Sequence, residues 1–579
     1  MTQTHFTEFN RSILDPETPL ARIGQGEVGG KAHGLAFIRD VLSKGLDFGA
    51  FPNMKIDIPP LAVLCTDTFD EFVKSNGLED VAHSDLPDDR IAHAFQKADL
   101  PFDVLGDLWA LANQVHTPLA IRSSSFLEDS KHEPFAGVYA TKMIPCNRYD
   151  VDSRFRQIVE AVKFVYASTY GQGAKDYRAA IGRKDEEERM GVIIQELVGR
   201  RHPGRFYPEL SGVARSYNFY PVGTARPEEG VVSLALGLGK TIVDGGLCWS
   251  YSPAYPKVEP PFGSVDKLLK GTQTQFWVVN MNEPLEYDPT RETEYLLLED
   301  LPMAERDGTL RYVASTYSPL SGRLSVGTGF PGPRALTFAP LLVLEEIHLN
   351  ELVLNLLDLC ESAFGAPVEI EFAMTFDPLW FGFLQVRSME FFQEETHIDL
   401  QDINAEHILV STDSAMGNGV VDSICDIVYT RPDAFDLKHT SAMVPELEKM
   451  NRKLVAAGRP YLLVVLGRLG TTDPWLGIPI QWAKISGARV VVEATQENVR
   501  VELSQGSHFF HNVVSLGVKY FNLAFNRPHK IDWDWLESQT PLEETTYLRH
   551  TRLPRPLGVR VDGRTGLGVI NKPADERNG

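Results

Sequence analysis

The chain has 579 residues, 43% hydrophobic and 23% charged, the balance of a globular protein with room for several cores, about four domains at roughly 150 residues each. Its 78 acidic residues outnumber 56 Lys and Arg, giving a formal net charge of −22; without a clustered basic patch, such a surface argues against nucleic acid or an anionic membrane as partner. No apolar run reaches the ~18–20 residues of a membrane span, the opening MTQTHFTEFN lacks signal-peptide character, and five scattered cysteines without a CxxC pair argue against a disulfide framework or a zinc ribbon, so a reducing cytoplasm is the expected compartment.

Strand-like and helical segments alternate along the chain, which predicts a mixed α/β fold. GGKAHGL (29–35) comes first. Its paired glycines allow a close backbone approach to an anion and Lys31 supplies a mobile positive charge, although an ordinary helix-start turn reads the same way. A short apolar run at Ala62–Thr66 predicts a strand. LAIRSSSFLEDS (119–130) then carries Arg122 off a strand into three serines, with FAGVYAT (135–141) behind it. A planar cation beside hydroxyl donors suits phosphate, with Glu128 and Asp129 placed to hold the arginine or a metal; a helix cap with a surface ion pair is the plainer reading. Val151–Ala180 has helical spacing and ends near Gly182, and GVIIQE (191–196) reads as a buried strand.

Residues 256–335 are rich in proline, glycine and acids and predict an insertion or a strand-rich subdomain. A helix pattern at Leu341–Cys360 leads into two strands within EIEFAMTFDPLWFGFLQVR (369–387). Period-two alternation puts Glu369, Glu371, Gln385 and Arg387 on related faces. The oxygen ligands Glu371 and Gln385 suit a hard cation such as Mg²⁺, and a solvated strand face is the alternative. Polar residues at Gln393–Asn404 mark a domain boundary. A second α/β unit follows over 405–525, with strands near Tyr461–Leu466 and Arg489–Glu493. The remainder, 526–579, reads as a C-terminal extension, extended or partly disordered.

Taken in order, GGKAHGL, AIRSSSFLED with FAGVYAT, VIIQELV (192–198), SGVARSYNFYP (211–221), LGLGKTIVDGG (236–246) and EIEFA…LQVRS resemble the ATP-binding domain of the pyruvate phosphate dikinase, phosphoenolpyruvate synthase and rifampin phosphotransferase family. The resemblance spans roughly residues 20–390 and implies an ATP-grasp fold over 1–395, with ATP and Mg²⁺ as cofactors. By position it implies Lys31 and Arg122 on the nucleotide phosphates, and Gly137 and Thr141 in a phosphate-covering loop. Gln195 falls at the adenine hinge, with the backbone of Glu196–Val198 beside the base. Glu371 and Gln385 fall on Mg²⁺, and Arg387 on the transferred phosphoryl group. Two departures stand out: Lys240 replaces a commonly acidic residue, and Ser388 replaces the proline that usually follows the arginine.

The segment SHFFHNVVSLGV (507–518) resembles the same family's phosphohistidine hallmark at Ser507, His508, Leu516, Gly517 and Val518, which implies a divergent swivelling domain over 405–525 with His508 as phosphoryl carrier. The hallmark's paired glycines are replaced by Leu503 and Ser504, its threonine by Gly506 and its arginine by Val514. A buried core histidine is therefore the competing reading, and His511 reads as a packing residue. No segment resembles the barrel that binds phosphoenolpyruvate or pyruvate, so a self-sufficient phosphoenolpyruvate synthase is not expected.

The expected function is an ATP- and Mg²⁺-dependent phosphotransferase acting through His508. Its partners would be a small-molecule nucleotide and an acceptor, small molecule or protein, that the sequence does not name, with a homodimer left open. Direct transfer without a histidine intermediate, and a non-catalytic ATP-binding regulator, are the alternatives.

Overall fold

The computed structural model describes residues 6–11, 20–126, 128, 137–180, 183, 188–218, 225–258, 265–284, 286–389, 407–471, 477–495, 517–523, 531–562 and 565–573. The chain divides into two compact units, the first within Met1–Met389 and the second built chiefly from Glu390–Gly579. Both are mixed α/β.

Two six-stranded sheets frame the first unit. One runs, in spatial order, Thr7–Glu8, Leu20–Ile23, Leu61–Leu64, Met190–Glu196, Leu119–Ser125 and Thr141–Ile144. The other runs Trp249–Tyr251, Val231–Ala235, Leu210–Arg215, Val368–Phe376, Leu379–Ser388 and Lys55–Asp57. The helix Gly30–Gly45 buries Ala32, Leu35, Ala36, Ile38 and Leu42 along one stripe. These side chains join a core that also takes Ile370, Phe372, Phe381, Phe383 and Val386 from the second sheet.

Val151–Ser168 is helical because Asp150 accepts the Ser153 N–H at 2.7 Å and Ile158, Ala161, Val162, Val165 and Tyr166 bury one face. The single helix expected to Ala180 is two helices. A turn at Thr169–Gly171 intervenes, and Asp88 accepts the Gln172 N–H at 2.7 Å, which caps a new start at Gln172 from outside the local sequence. The helix expected at Leu341–Cys360 is also divided, into Ala339–Leu342 and Leu349–Phe364. Glu345 between them has φ of 56°, which no helix interior accommodates. The strand near residue 62 is Leu61–Leu64, since Thr66 already opens the next helix. Within 256–335 two strands, Gln275–Asn280 and Leu296–Asp300, complete a four-stranded sheet with Arg200–His202 and Arg205–Tyr207, and three more form a separate small sheet.

In the second unit a seven-stranded sheet has four parallel central strands, Asp426–Thr430, Tyr461–Leu466, Ala488–Ala494 and Lys519–Leu523. All of their residues but Arg489 and Asn522 are buried, as a sheet covered on both faces requires. The expected boundary at 393–404 lies outside the described residues. The region after 526, read from sequence as an extension or tail, is structural wherever it is described. Leu548–Arg552 pairs with Asp426–Thr430 at the seven-stranded sheet, and Gly558–Asp562 and Leu567–Asn571 pair inside a four-stranded antiparallel sheet. The region's strands are four or five residues long, Arg552 and Arg560 on them are exposed and Pro541 opens one of them, so the hydrophobic pattern is diluted below recognition.

Candidate functional site

Arg122, Thr141 and Gln195 share one face of the first sheet. Arg122 is the cross-strand partner of Thr141, and Gln195 pairs with Ala120, two residues from Arg122. Glu371 and Gln385 are direct cross-strand partners on the second sheet, and Glu369 and Arg387 form the adjoining pair. The four residues expected on related faces thus form two cross-strand pairs, with a bulge immediately after Glu371.

Arg122 joins the two sheets. Its guanidinium donates to Gln385 Oε1 at 2.6 Å, to the Leu384 carbonyl at 3.1 Å and to Gln195 Oε1 at 3.5 Å. Glu371 Oε2 stands 3.8 Å away. The Arg122 and Glu371 side chains keep 13% and 16% of their surface exposed, enough to meet a ligand. Gln195 is buried, and its Nε2 donates to the Pro59 carbonyl at 3.3 Å, so its amide is already engaged.

Lys31 stands at the start of the helix Gly30–Gly45 and is held by Glu128 Oε1 at 2.7 Å and Ser123 Oγ at 3.2 Å. Glu128 thus holds the lysine rather than Arg122, and Asp129 lies outside the described residues. Glu128 and Ser125 also bond reciprocally, backbone to side chain, at 3.0 Å each way, the capping-box pattern. The paired glycines serve a packing need. A Cβ on Gly29, at φ 80°, would lie 1.7 Å from the Ser124 carbonyl oxygen, and one on Gly30 would lie 1.7 Å from that of Glu128. Ser124 Oγ accepts the Ala32 N–H at 3.1 Å, so the helix start is capped by the neighbouring strand.

Gly137 has φ of 65° and is exposed in the turn before Thr141. In the segment expected to lie beside the adenine, the Glu196 N–H bonds the Pro60 carbonyl at 3.0 Å and the Leu197 N–H that of Pro118 at 2.9 Å. Burial pushes the Glu196 carboxyl upward from its ordinary value. Val198 is buried, and its side chain occupies the space a Cβ on Gly382 would need. His508 and His511 lie outside the described residues.

Sequence reasoning misses Arg215. It is the cross-strand partner of Glu369 and donates to Glu369 Oε2 at 2.5 Å, while Arg387 bonds Glu369 Oε1. The available signal is SGVAR itself, a strand-like run that ends on a cation. Ser123 and the Glu128 counter-ion of Lys31 are likewise visible only once the strand end meets the helix start.

Two lobes of sheet and helix, joined by a row of phosphate-type side chains, define an ATP-grasp-like nucleotide-binding domain. Residues 25–407, more than half of the chain, match the family model described as pyruvate phosphate dikinase, AMP/ATP-binding domain, and the chain belongs to that family. It is 24% identical over 254 residues to the probable phosphoenolpyruvate synthase of Methanocaldococcus jannaschii, covering 40% of this chain and 20% of that protein. It is 26% identical over 239 residues to the phosphoenolpyruvate synthase of Aeropyrum pernix, covering 38% and 25%. To the uncharacterized phosphotransferase YvkC of Bacillus subtilis it is 25% identical over 205 residues, covering 35% and 22%. The matched part is thus a quarter or less of each of these relatives. Among the described residues no helix is long and apolar enough to cross a membrane.

Proposed function

We propose that the chain is an ATP- and Mg²⁺-dependent phosphotransferase whose first unit binds the nucleotide between its two sheets. The observation that carries this reading is the Arg122 guanidinium, which reaches Gln195 on one sheet and Gln385 on the other. A fork-shaped cation between two lobes suits phosphate oxygens and can couple lobe closure to their arrival. Lys31 adds a second cation beside Ser123, and Arg387 faces the transferred group. The names of the relatives, two phosphoenolpyruvate synthases and a phosphotransferase, agree with this class.

The donor set fits Mg²⁺: a carboxylate from Glu371 and an amide oxygen from Gln385 on paired positions suit a hard cation that also takes phosphate oxygens. When bound, Mg²⁺ would neutralise charge on those oxygens. His508 is the proposed nucleophile. An imidazole nitrogen attacks phosphorus, the phosphorus–oxygen bond to the nucleotide breaks, and its electron pair leaves on the nucleotide oxygen, where Arg122 and Lys31 hold the charge. The divergent 405–525 region would carry the phosphoryl group to an acceptor of undetermined chemistry.

Incubation with β- and γ-labelled ATP in parallel tests this. The expected result is label on the protein that is lost in acid, kept in alkali and abolished by His508→Asn, with ATP affinity within about 1 kcal/mol of wild type. Release of labelled product without protein label points to direct transfer. Mg·ATP binding with neither label nor turnover identifies a nucleotide-responsive regulator, the reading that the lost Gly-Gly and Arg of the histidine segment favour.

A further inference from the structure

The strand Arg323–Val326 is an edge. In its three-stranded sheet it pairs with Ala314–Ser318 on one side and with no described strand on the other. The Gly327 N–H bonds the Ala314 carbonyl at 3.1 Å, which sets the bonded pairs of this antiparallel ladder at 327, 325 and 323. The backbone N–H and C=O of Leu324 and Val326 therefore point away from the ladder. Around them Leu320 is fully exposed, Phe330 64% and Val326 41% exposed. Residues 308–344 hold three arginines and no Asp or Glu, in a chain of formal net charge −22.

We propose that this edge pairs with the same edge of a second copy of the chain, antiparallel about a two-fold axis at Ser325. One antiparallel register uses all the outward groups: Leu324 of each copy opposite Val326 of the other, with both backbone bonds exchanged in each pair. Ser325 then faces its own copy in a non-bonded pair, the closer kind. Leu320 and Phe330 lie five residues to either side of Ser325, so the same axis carries each toward the other in the second copy and covers apolar surface. Charge selects the place. Two chains at −22 repel one another, and in this acid-free stretch each Arg323 stands opposite a Gly327, so no like charges oppose. Arg323 is the edge's one charge and no proline interrupts it, so it keeps little of the usual protection against strand addition. Four residues a side fall short of the roughly 1,200–2,000 Å² of a standard interface, so the dimer is weak and reversible.

The test is sedimentation of the full chain from about 1 to 100 µM, the range in which a weak dimer forms and dissociates. Wild type should shift from monomer to dimer across it. Ser325→Lys puts two lysines directly opposite each other, with Arg323 two residues away on the same face, and should weaken the dimer about fivefold or more. An equimolar mixture of Ser325→Lys and Ser325→Glu faces opposite charges across the axis and should associate more tightly than Ser325→Lys alone. A wild-type chain that stays monomeric throughout overturns the proposal and leaves Arg323 as the charge that keeps this edge from pairing. Wild-type association in Ser325→Lys, or a mixture no tighter than Ser325→Lys alone, overturns it as well. Should the Ser325 variants not fold, Val326→Pro decides: its N–H points outward, so the hairpin keeps its own bonds while each copy loses a donor to the other. It should be monomeric where wild type is dimeric, and unchanged association overturns the proposal.

Discussion

Arg122 Nη2 donates to Gln385 Oε1 at 2.6 Å although 263 residues separate them and they stand on different sheets. The contact makes this side chain a tie between lobes, and the proposed function gives it the nucleotide phosphates as well. Arg122→Ala is expected to lower Mg·ATP affinity by about 2–4 kcal/mol, the loss of a charge-assisted fork. Arg122→Lys should lose less affinity, since it keeps the charge without the fork. Calorimetry on protein with an unchanged circular dichroism spectrum measures this, and wild-type affinity in Arg122→Ala would remove the phosphate assignment.

Glu371 and Gln385 face each other across the hairpin, one residue before a bulge that re-aims the strand. Glu371→Gln keeps shape and removes charge. The expected outcome is a loss of Mg·ATP affinity of about tenfold or more, with metal-free ATP binding much less affected. The comparison is made in magnesium and in a chelator; equal losses in both would show the pair to be a structural brace.

The site was legible in the sequence wherever strand periodicity alone sets geometry. Glu369, Glu371, Gln385 and Arg387 fall into two cross-strand pairs because a tight hairpin leaves little freedom of register. What the sequence hides depends on partners far along the chain. Glu128 captures Lys31 across 97 residues, Arg215 meets Glu369 across 154, and Asp88 starts a helix at Gln172. A packing need for Gly29 and Gly30 is equally hidden: the carbonyls of Ser124 and Glu128 fill the space of a side chain there. The folded C-terminal strands were missed because residues such as His550 are buried by an acidic partner, Asp426 at 2.8 Å, rather than by hydrophobicity.

The Lys31–Glu128 pair changes how a lysine variant must be read. Glu128 is 1% exposed and Lys31 12% exposed, so Lys31→Ala leaves a buried carboxylate without its cation. The cost expected is about 3 kcal/mol of stability, beyond any lost phosphate contact. Lys31→Ala with Glu128→Gln should recover most of that stability, because glutamine can still accept the Ser125 N–H, but should not recover Mg·ATP binding. Urea unfolding and calorimetry of the single and double variants separate the two effects. Recovery of nucleotide affinity in the double variant would show that Lys31 acts on the fold alone.

In the second unit, burial pushes the Glu493 carboxyl up to about 7 from its ordinary 4.5. It stands next to last in the strand Ala488–Ala494 and accepts the Leu469 N–H at 2.6 Å. The folded state therefore holds this proton more tightly than the unfolded chain. Its contribution is full below about pH 4.5 and is lost as pH rises through about 7, a change of about 3 kcal/mol for a shift of this size. Glu493→Gln keeps an acceptor for Leu469 and has no proton to lose, so it should abolish this part of the pH dependence and stabilise the unit above pH 7. Because a two-unit chain need not unfold in one step, the measurement is the opening free energy from amide exchange at Tyr461–Leu466 and Ala488–Ala494. Wild type should lose protection free energy between pH 5 and 8 (about 3 kcal/mol at most), and the variant should stay level. The same slope in both would show that Glu493 is ionised in the folded unit and that its burial is offset by its neighbours.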